Sequence, residues 1–289
     1  MSDIAIPDRA TPSRDAHNRD GLAAAKTVIV IPARHASSRF PGKPLVAIHG
    51  HDGIARPLVQ LSHEAASAVD GADGVVVATD DQRIADAVAS FGGNWLMTPE
   101  SCANGTERVA ACLDALPNAD LIVNFQGDAL LTPPAFVEAL IAHMNAHPQA
   151  QVGTIAVRCS PATFRHLAED AAQGRVGGTT AVLNGAGEAL YFSKRILPYL
   201  PDGRMPDADT PVLLHLGLYA YRRAALERYA ATSVTMLETV EGLEQLRFLV
   251  SGTPISVLTL EETGYPIVEV NNPSDIAIVE GIFGARGKS

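Results

Sequence analysis

Between Ile31 and Leu45 the chain reads Ile-Pro-Ala-Arg-His-Ala-Ser-Ser-Arg-Phe-Pro-Gly-Lys-Pro-Leu, which sets Arg34, Arg39 and Lys43 beside the hydroxyls of Ser37 and Ser38. Guanidinium, ammonium and free backbone N–H groups gathered in this way grip phosphate oxygens through charge-assisted hydrogen bonds. The spacing matches neither G-x-x-x-x-G-K-[ST] nor G-x-G-x-x-G, so a Walker loop and a dinucleotide fingerprint are both excluded. Asp128 closes a second apolar run, Leu-Ile-Val-Asn-Phe from Leu121, followed by Gln126 and Gly127. A carboxylate at that point, facing a polyphosphate, is a hard oxygen ligand for Mg²⁺. Asn271 and Asp275, in Val-Asn-Asn-Pro-Ser-Asp, offer a partner oxygen, although the same pattern is also ordinary helix-start chemistry.

Positioning these groups requires buried strands with loops at their carboxyl ends. Thr27–Pro32, Gly74–Thr79, Trp95–Thr98 and Leu121–Phe125 are short apolar runs of the kind buried on both faces. Helical patterns separate them at Ile54–Val69, Gln82–Phe91 (capped by Asp80 or Asp81) and Thr106–Leu116, and Pro133 and Pro134 open a further helix. Strand–helix alternation predicts an α/β fold with a mixed, mostly parallel sheet. In such sheets ligands sit beyond the carboxyl ends of the strands, where the basic loop falls.

The second half predicts strands at Val152–Arg158, Thr180–Leu183, Glu188–Phe192, His215–Tyr221 and Pro254–Leu260. An amphipathic stretch at Leu237–Val250 and a closing helix at Pro273–Phe283 complete it. The reading is one domain over 27–284 with a β-rich insertion at roughly 152–222, a disordered leader at 1–26 and a short tail at 285–289.

Charge narrows the partners. Lys and Arg total 22 against 32 Asp and Glu, a net charge of -10, which disfavours nucleic acid and anionic membranes but not a small anion held by a local basic cluster. Three cysteines, Cys102, Cys112 and Cys159, without a C-x-x-C pair fit a reducing cytoplasm and neither a disulfide framework nor a zinc site. His35, His49, His51 and His63 fall near one another in sequence without metal-ligand spacing on a helix face. No apolar run reaches the ~20 residues that span a bilayer.

The first segment resembles the IPAR-x-x-S-x-R-x-PGKPL signature of the sugar nucleotidyltransferases, and more narrowly the 3-deoxy-manno-octulosonate (Kdo) cytidylyltransferases. Further matches follow in order: Ala78-Thr79-Asp80, Asn104-Gly105-Thr106-Glu107-Arg108, Val123-Asn124-Phe125-Gln126-Gly127-Asp128, Ala189-Leu190-Tyr191-Phe192-Ser193, His215-Leu216-Gly217-Leu218-Tyr219 and Leu243-Glu244-Gln245-Leu246-Arg247. The resemblance implies a Rossmann-like nucleotidyltransferase domain of the GT-A type that dimerises through the β-rich insertion. It also implies transfer of CMP from CTP to an acidic 2-keto-3-deoxy sugar acid such as Kdo, with Mg²⁺ as cofactor and pyrophosphate released. Arg39, Lys43 and Asp128 would carry catalysis. Pro32, Ala33, Arg34, Ser37, Arg39, Lys43, Ala78, Thr79, Asp80, Asn104, Gly105, Thr106, Arg108 and Gln126 would hold the nucleotide. Tyr191, Lys194, His215, Glu238, Glu244 and Gln245 would face the acceptor, and Asp128 with Asn271 the metal.

The chain departs from the family pattern at several of these places. Ala129 replaces a Glu after Gln-Gly-Asp, Asn271 an Asp, Asn104 a Ser, Thr180 a Lys and Lys194 an Arg. Most of the losses are of charge, and Arg and Lys differ where a carboxylate is gripped bidentately. Two alternatives therefore stay open: CTP with another acceptor (a nonulosonate, an amino-Kdo, a small phosphonate or carboxyphosphonate), or a non-catalytic nucleotide-binding relative.

Overall fold

The computed structural model describes residues 19–36, 40–201 and 203–286. The helix α1 (Arg19–Ala24) leads into β1 (Thr27–Ala33), and a hairpin of β2 (Ala47–His49) and β3 (Ala55–Pro57) precedes α2 (Leu58–Ser67). Then β4 (Gly74–Thr79), α3 (Gln82–Ser90), β5 (Asn94–Met97), α4 (Gly105–Ala110), β6 (Leu121–Asn124) and α5 (Pro134–Ala146) alternate along the chain. The second half runs β7 (Val152–Arg158), α6 (Pro161–Ala172), β8 (Thr179–Leu183), β9 (Ala189–Ser193), β10 (Leu213–Arg222) and α7 (Arg223–Ala231). It closes with α8 (Met236–Glu241), α9 (Leu246–Val250), β11 (Ile255–Glu261) and α10 (Asp275–Arg286).

The main sheet runs β11-β7-β10-β6-β1-β4-β5, with β8 and β9 added beside β10. Along that path only β10 is antiparallel to its neighbours. Alternate residues of the central strands enter two cores. Val28, Val30, Val76, Ala78 and Ile122 face Tyr219, Tyr221 and Phe248, while Ile29, Ile31, Val77, Leu121 and Val123 face α2, α3 and α5. Strands covered on both faces explain why these runs are continuously apolar. Ala33 of β1 lies opposite Thr79 of β4, and Val30 opposite Asn124 of β6, so three carboxyl ends open on one side of the sheet.

Three expectations are corrected. The leader does not extend to residue 26: Arg19–Ala24 is helical, and Leu22, 5% exposed, packs in the same core as Val28 and Val76. An apolar side chain that reaches a core holds its segment down; residues 1–18 and 287–289 lie outside the described residues. The stretch at 152–222 is not a separate insertion, because β7 and β10 are inner strands of the main sheet and only β8 and β9 project from it. The helix expected from Ile54 begins at Leu58, since Ala55–Pro57 pairs with β2.

Candidate active site

Pro32, Ala33, Arg34, Lys43, Asn104, Gly105, Arg108, Gln126, Gly127, Asp128 and Asn271 line one cleft at the carboxyl ends of β1, β4 and β6. Four separate sequence segments therefore converge where the basic loop was expected to face Asp128. Ser37 and Arg39 lie outside the described residues. The loop closes where Gly42 N–H donates to the His35 carbonyl at 3.0 Å. Gly42 has φ 70, a left-handed conformation that favours glycine, and it starts the 3₁₀ turn from which Lys43 projects.

Lys43 and Asp128 form the centre of the cleft floor. The Lys43 ammonium is ion-paired with the Asp128 carboxylate, both side chains being 19% exposed, and also donates to the Val270 carbonyl at 2.9 Å. Val270 N–H in turn donates to the Asp128 carbonyl at 3.1 Å, which ties the late 269–271 segment beside the strand end. Asp275 accepts from the N–H groups of Asn271 and Asn272 at 2.8 and 2.7 Å. Asp275, the first residue of α10, thus holds the 271–272 turn ahead of the helix, and of the two late candidates only Asn271 lines the cleft.

The nucleotide-side residues divide. Arg108 is buried and donates to Asp80 at 2.7 Å and to Thr98 Oγ1 at 2.5 Å, so a fixed guanidinium borders the cleft. Asn104 caps α4 by accepting from Glu107 N–H at 2.8 Å, and its Nδ2 donates to Tyr229 at 3.1 Å. Ser and Asn are comparable caps, which accounts for the change from the family pattern there. Ala78 and Thr79 are fully buried, and the Thr79 carbonyl accepts from Thr98, so their side chains stand beneath the cleft rather than in its wall. Thr106 is buried on Tyr221 at 3.0 Å.

The acceptor-side candidates sit on the same sheet face, around β9, β10 and the α8–α9 turn. His215 packs edge-on to Phe192 and against Tyr219. The Thr154 hydroxyl donates to the Leu218 carbonyl at 2.7 Å, so at 3.0 Å from His215 Nε2 it accepts, placing the imidazole proton on Nε2. Burial among apolar rings pushes the His215 imidazolium down to about 3, leaving a neutral ring at physiological pH. Below about pH 6.5 the unfolded chain takes up a proton that the folded ring refuses until about pH 3. Stability should fall across that window as acid is added. In urea melts at pH 7 and pH 4.5, His215→Gln should shrink the difference between the two midpoints. An unchanged difference would contradict the assignment.

Glu244 accepts from Thr106 N–H at 3.3 Å, and its burial raises its carboxyl above the usual range. It thus bridges the acceptor side to the start of α4. Glu238 does not face an acceptor: both its oxygens are held by Arg247, at 2.6 and 2.7 Å, and it closes a capping box with Thr235. The carboxylate that meets the β9 candidates is Glu241, which sequence reasoning missed. It accepts from Tyr191 at 3.3 Å, Ser193 at 2.9 Å and the Lys194 N–H at 3.2 Å, and with burial it raises the Tyr191 phenol. Thr180 is buried and donates to the Arg195 carbonyl at 2.6 Å, so it shapes the turn after β9 and offers nothing to a ligand. Cys102 also lines the cleft and carried no signal in sequence.

An open α/β sheet whose strand ends hold a basic loop, a lysine–carboxylate pair and a buried arginine defines a nucleotide-binding transferase. The cytidylyltransferase family model matches residues 28–257. Over 260 residues the chain is 44% identical to 3-deoxy-manno-octulosonate cytidylyltransferase of Maricaulis maris, covering 90% of this chain and 97% of the relative. The enzyme of the same description from Myxococcus xanthus is 39% identical, with 92% of this chain and the whole relative covered. The solved structure of CMP:2-keto-3-deoxy-manno-octonic acid synthetase complexed with CTP aligns at TM-score 0.77 and 34% identity, covering 90% of this chain and 99% of the other. The chain belongs to the cytidylyltransferases, and within them to the 3-deoxy-manno-octulosonate cytidylyltransferase family. It is a nucleotidyltransferase. Among the described residues no helix is long and apolar enough to cross a membrane.

Proposed function

We propose that the chain transfers CMP from CTP to 3-deoxy-manno-octulosonate and releases pyrophosphate. The observation that carries this is the convergence of Lys43, Asp128, Arg108 and Gln126 on one cleft, in a chain that keeps the family's motif order. The reaction is in-line attack of the acceptor's anomeric hydroxyl oxygen on the α-phosphorus, with the bond to the bridging oxygen of pyrophosphate breaking. Arg34 and Lys43, with Arg39 and Ser37 from the sequence pattern, bind the phosphate oxygens and hold the α-phosphorus in line. Arg108, locked by Asp80, gives the nucleotide side a fixed positive wall that needs no rearrangement during reaction.

The donor set suits Mg²⁺: the Asp128 carboxylate, the Val270 carbonyl and the Asn271 amide are hard oxygens, and Lys43 already holds a cationic group against two of them. Bound there with CTP, the ion would supply charge neutralisation on the phosphates. The chain acts in the cytoplasm, in keeping with three unpaired cysteines, and as a homodimer. Support for the dimer is β9, which pairs only with β8 among the described strands and carries Leu190 at 61% exposure.

Lys43→Ala is expected to lower turnover about 100-fold, the scale of one charge contact to the transition state. Steady-state kinetics checks this, and wild-type rates would misplace the site. The function itself is tested by pyrophosphate release from CTP with a panel of acidic acceptors. Preference for Kdo is expected. Preference for a nonulosonate, an amino-Kdo, or a small phosphonate or carboxyphosphonate, the reading motivated by the departures from the family pattern at Ala129, Thr180 and Lys194, would replace it. Tight CTP binding without release on any acceptor would indicate a non-catalytic relative.

A further inference from the structure

The cleft position across from Asp128 holds Asn271, whose carboxamide has one end that binds a cation and one that repels it. Oxygen is an acceptor and NH₂ a donor, and a half-turn about the Cβ–Cγ bond exchanges them. Something must therefore hold the oxygen end toward the cleft. Asn271 Nδ2 donates to Glu269 Oε2 at 3.3 Å. A carboxylate can only accept, so the amide end facing Glu269 is the NH₂, and Oδ1 is turned to the other side. The backbone fixes the same geometry. Asn271 N–H is held by Asp275, and Val270 is tied to both Asp128 and Lys43. Glu269 also reaches toward β10, its Oε1 standing 3.7 Å from where a Cβ on Gly217 would lie. Residues 269 and 271 alternate across Val270, so both side chains leave the segment on one side.

We propose that Glu269 is a positioning residue for the divalent cation. It fixes the Asn271 carboxamide with Oδ1 toward the ion, and its negative charge polarises the amide so that this oxygen donates more strongly. The charge lost when Asn stands where the family pattern has Asp is thereby returned one hydrogen bond further out. This inference rests on the Mg²⁺ reading above.

The test uses Mn²⁺ as the probe, titrated into the full chain with saturating CTP and followed by the electron paramagnetic resonance of free Mn²⁺. Glu269→Gln is expected to weaken Mn²⁺ about tenfold, the usual scale for removing an outer partner of a metal ligand. In an Asn271→Asp background there is no amide to orient, and Glu269 only repels the new carboxylate. There the same substitution should change affinity by less than about twofold, or tighten it. Glu269→Gln binding Mn²⁺ as wild type does would overturn the proposal. Equal weakening in both backgrounds would also overturn it, by making Glu269 a direct ligand. Wild-type protein that binds CTP but no Mn²⁺ would overturn the metal reading and this inference together.

Discussion

Asp128→Asn is expected to lower turnover by about 100- to 1000-fold, the range seen when one preorganised electrostatic contact to a transition state is removed. Among the described residues that line the cleft, Asp128 is the one carboxylate, and it is ion-paired with Lys43. The amide that replaces it is neutral and offers one oxygen instead of two. It can neither hold the ammonium as firmly nor share charge with a metal-bound phosphate. CTP still meets Arg34 and Arg108, so its dissociation constant should move far less than the rate. The split between kcat and CTP affinity is the informative readout. A loss confined to CTP affinity would make Asp128 a binding residue only, and wild-type turnover would misplace the centre.

The largest effect on stability is expected at Arg247, whose side chain is 3% exposed. Its guanidinium is bound by Glu238 at 2.6 and 2.7 Å and by Glu107 at 2.9 Å, and it lies 4.1 Å over the Tyr229 ring. These contacts hold the guanidinium charged far above the ordinary range. Arg247→Met leaves the buried Glu238 carboxylate without its cation, and breaking a buried pair from one side costs about 3–5 kcal/mol. Urea unfolding should show that loss. Replacing both members, Arg247→Met with Glu238→Met, should recover much of it, because the uncompensated charge is gone. A double variant no more stable than the single one would contradict this account. Because Glu107 lies on α4, which Asn104 caps and which carries Arg108, the same network also steadies the nucleotide side of the cleft.

The strands that build the cleft were readable because strands buried on both faces are continuously apolar, as Thr27–Ala33 and Gly74–Thr79 are. The basic loop and Asp128 were readable because their types and places in the strand–helix alternation leave few other uses. Glu238 and Glu241 show the limit. Both are acidic residues of α8, three apart, and nothing in their spacing says which one Arg247 takes and which one meets Tyr191. The packing of α9 decides that, and packing is a tertiary fact. Asp275 was ambiguous for a related reason, since a helix cap and a metal ligand ask for the same side chain. The place of 152–222 in the main sheet is not legible in sequence because β10, with irregular pairing between Leu216 and Tyr219, joins it through partners distant in sequence. Leu22 is hidden because a single leucine among glycine and alanines makes no apolar periodicity.

The most direct test of the central claim is a phosphorus NMR spectrum of the full-length protein incubated with CTP, Mg²⁺ and Kdo. The account predicts that the three CTP resonances give way to pyrophosphate and one new phosphodiester, that of CMP joined to the anomeric oxygen of Kdo, with UTP in place of CTP giving little or none. CTP resonances that persist beside folded, CTP-bound protein and Kdo would contradict it.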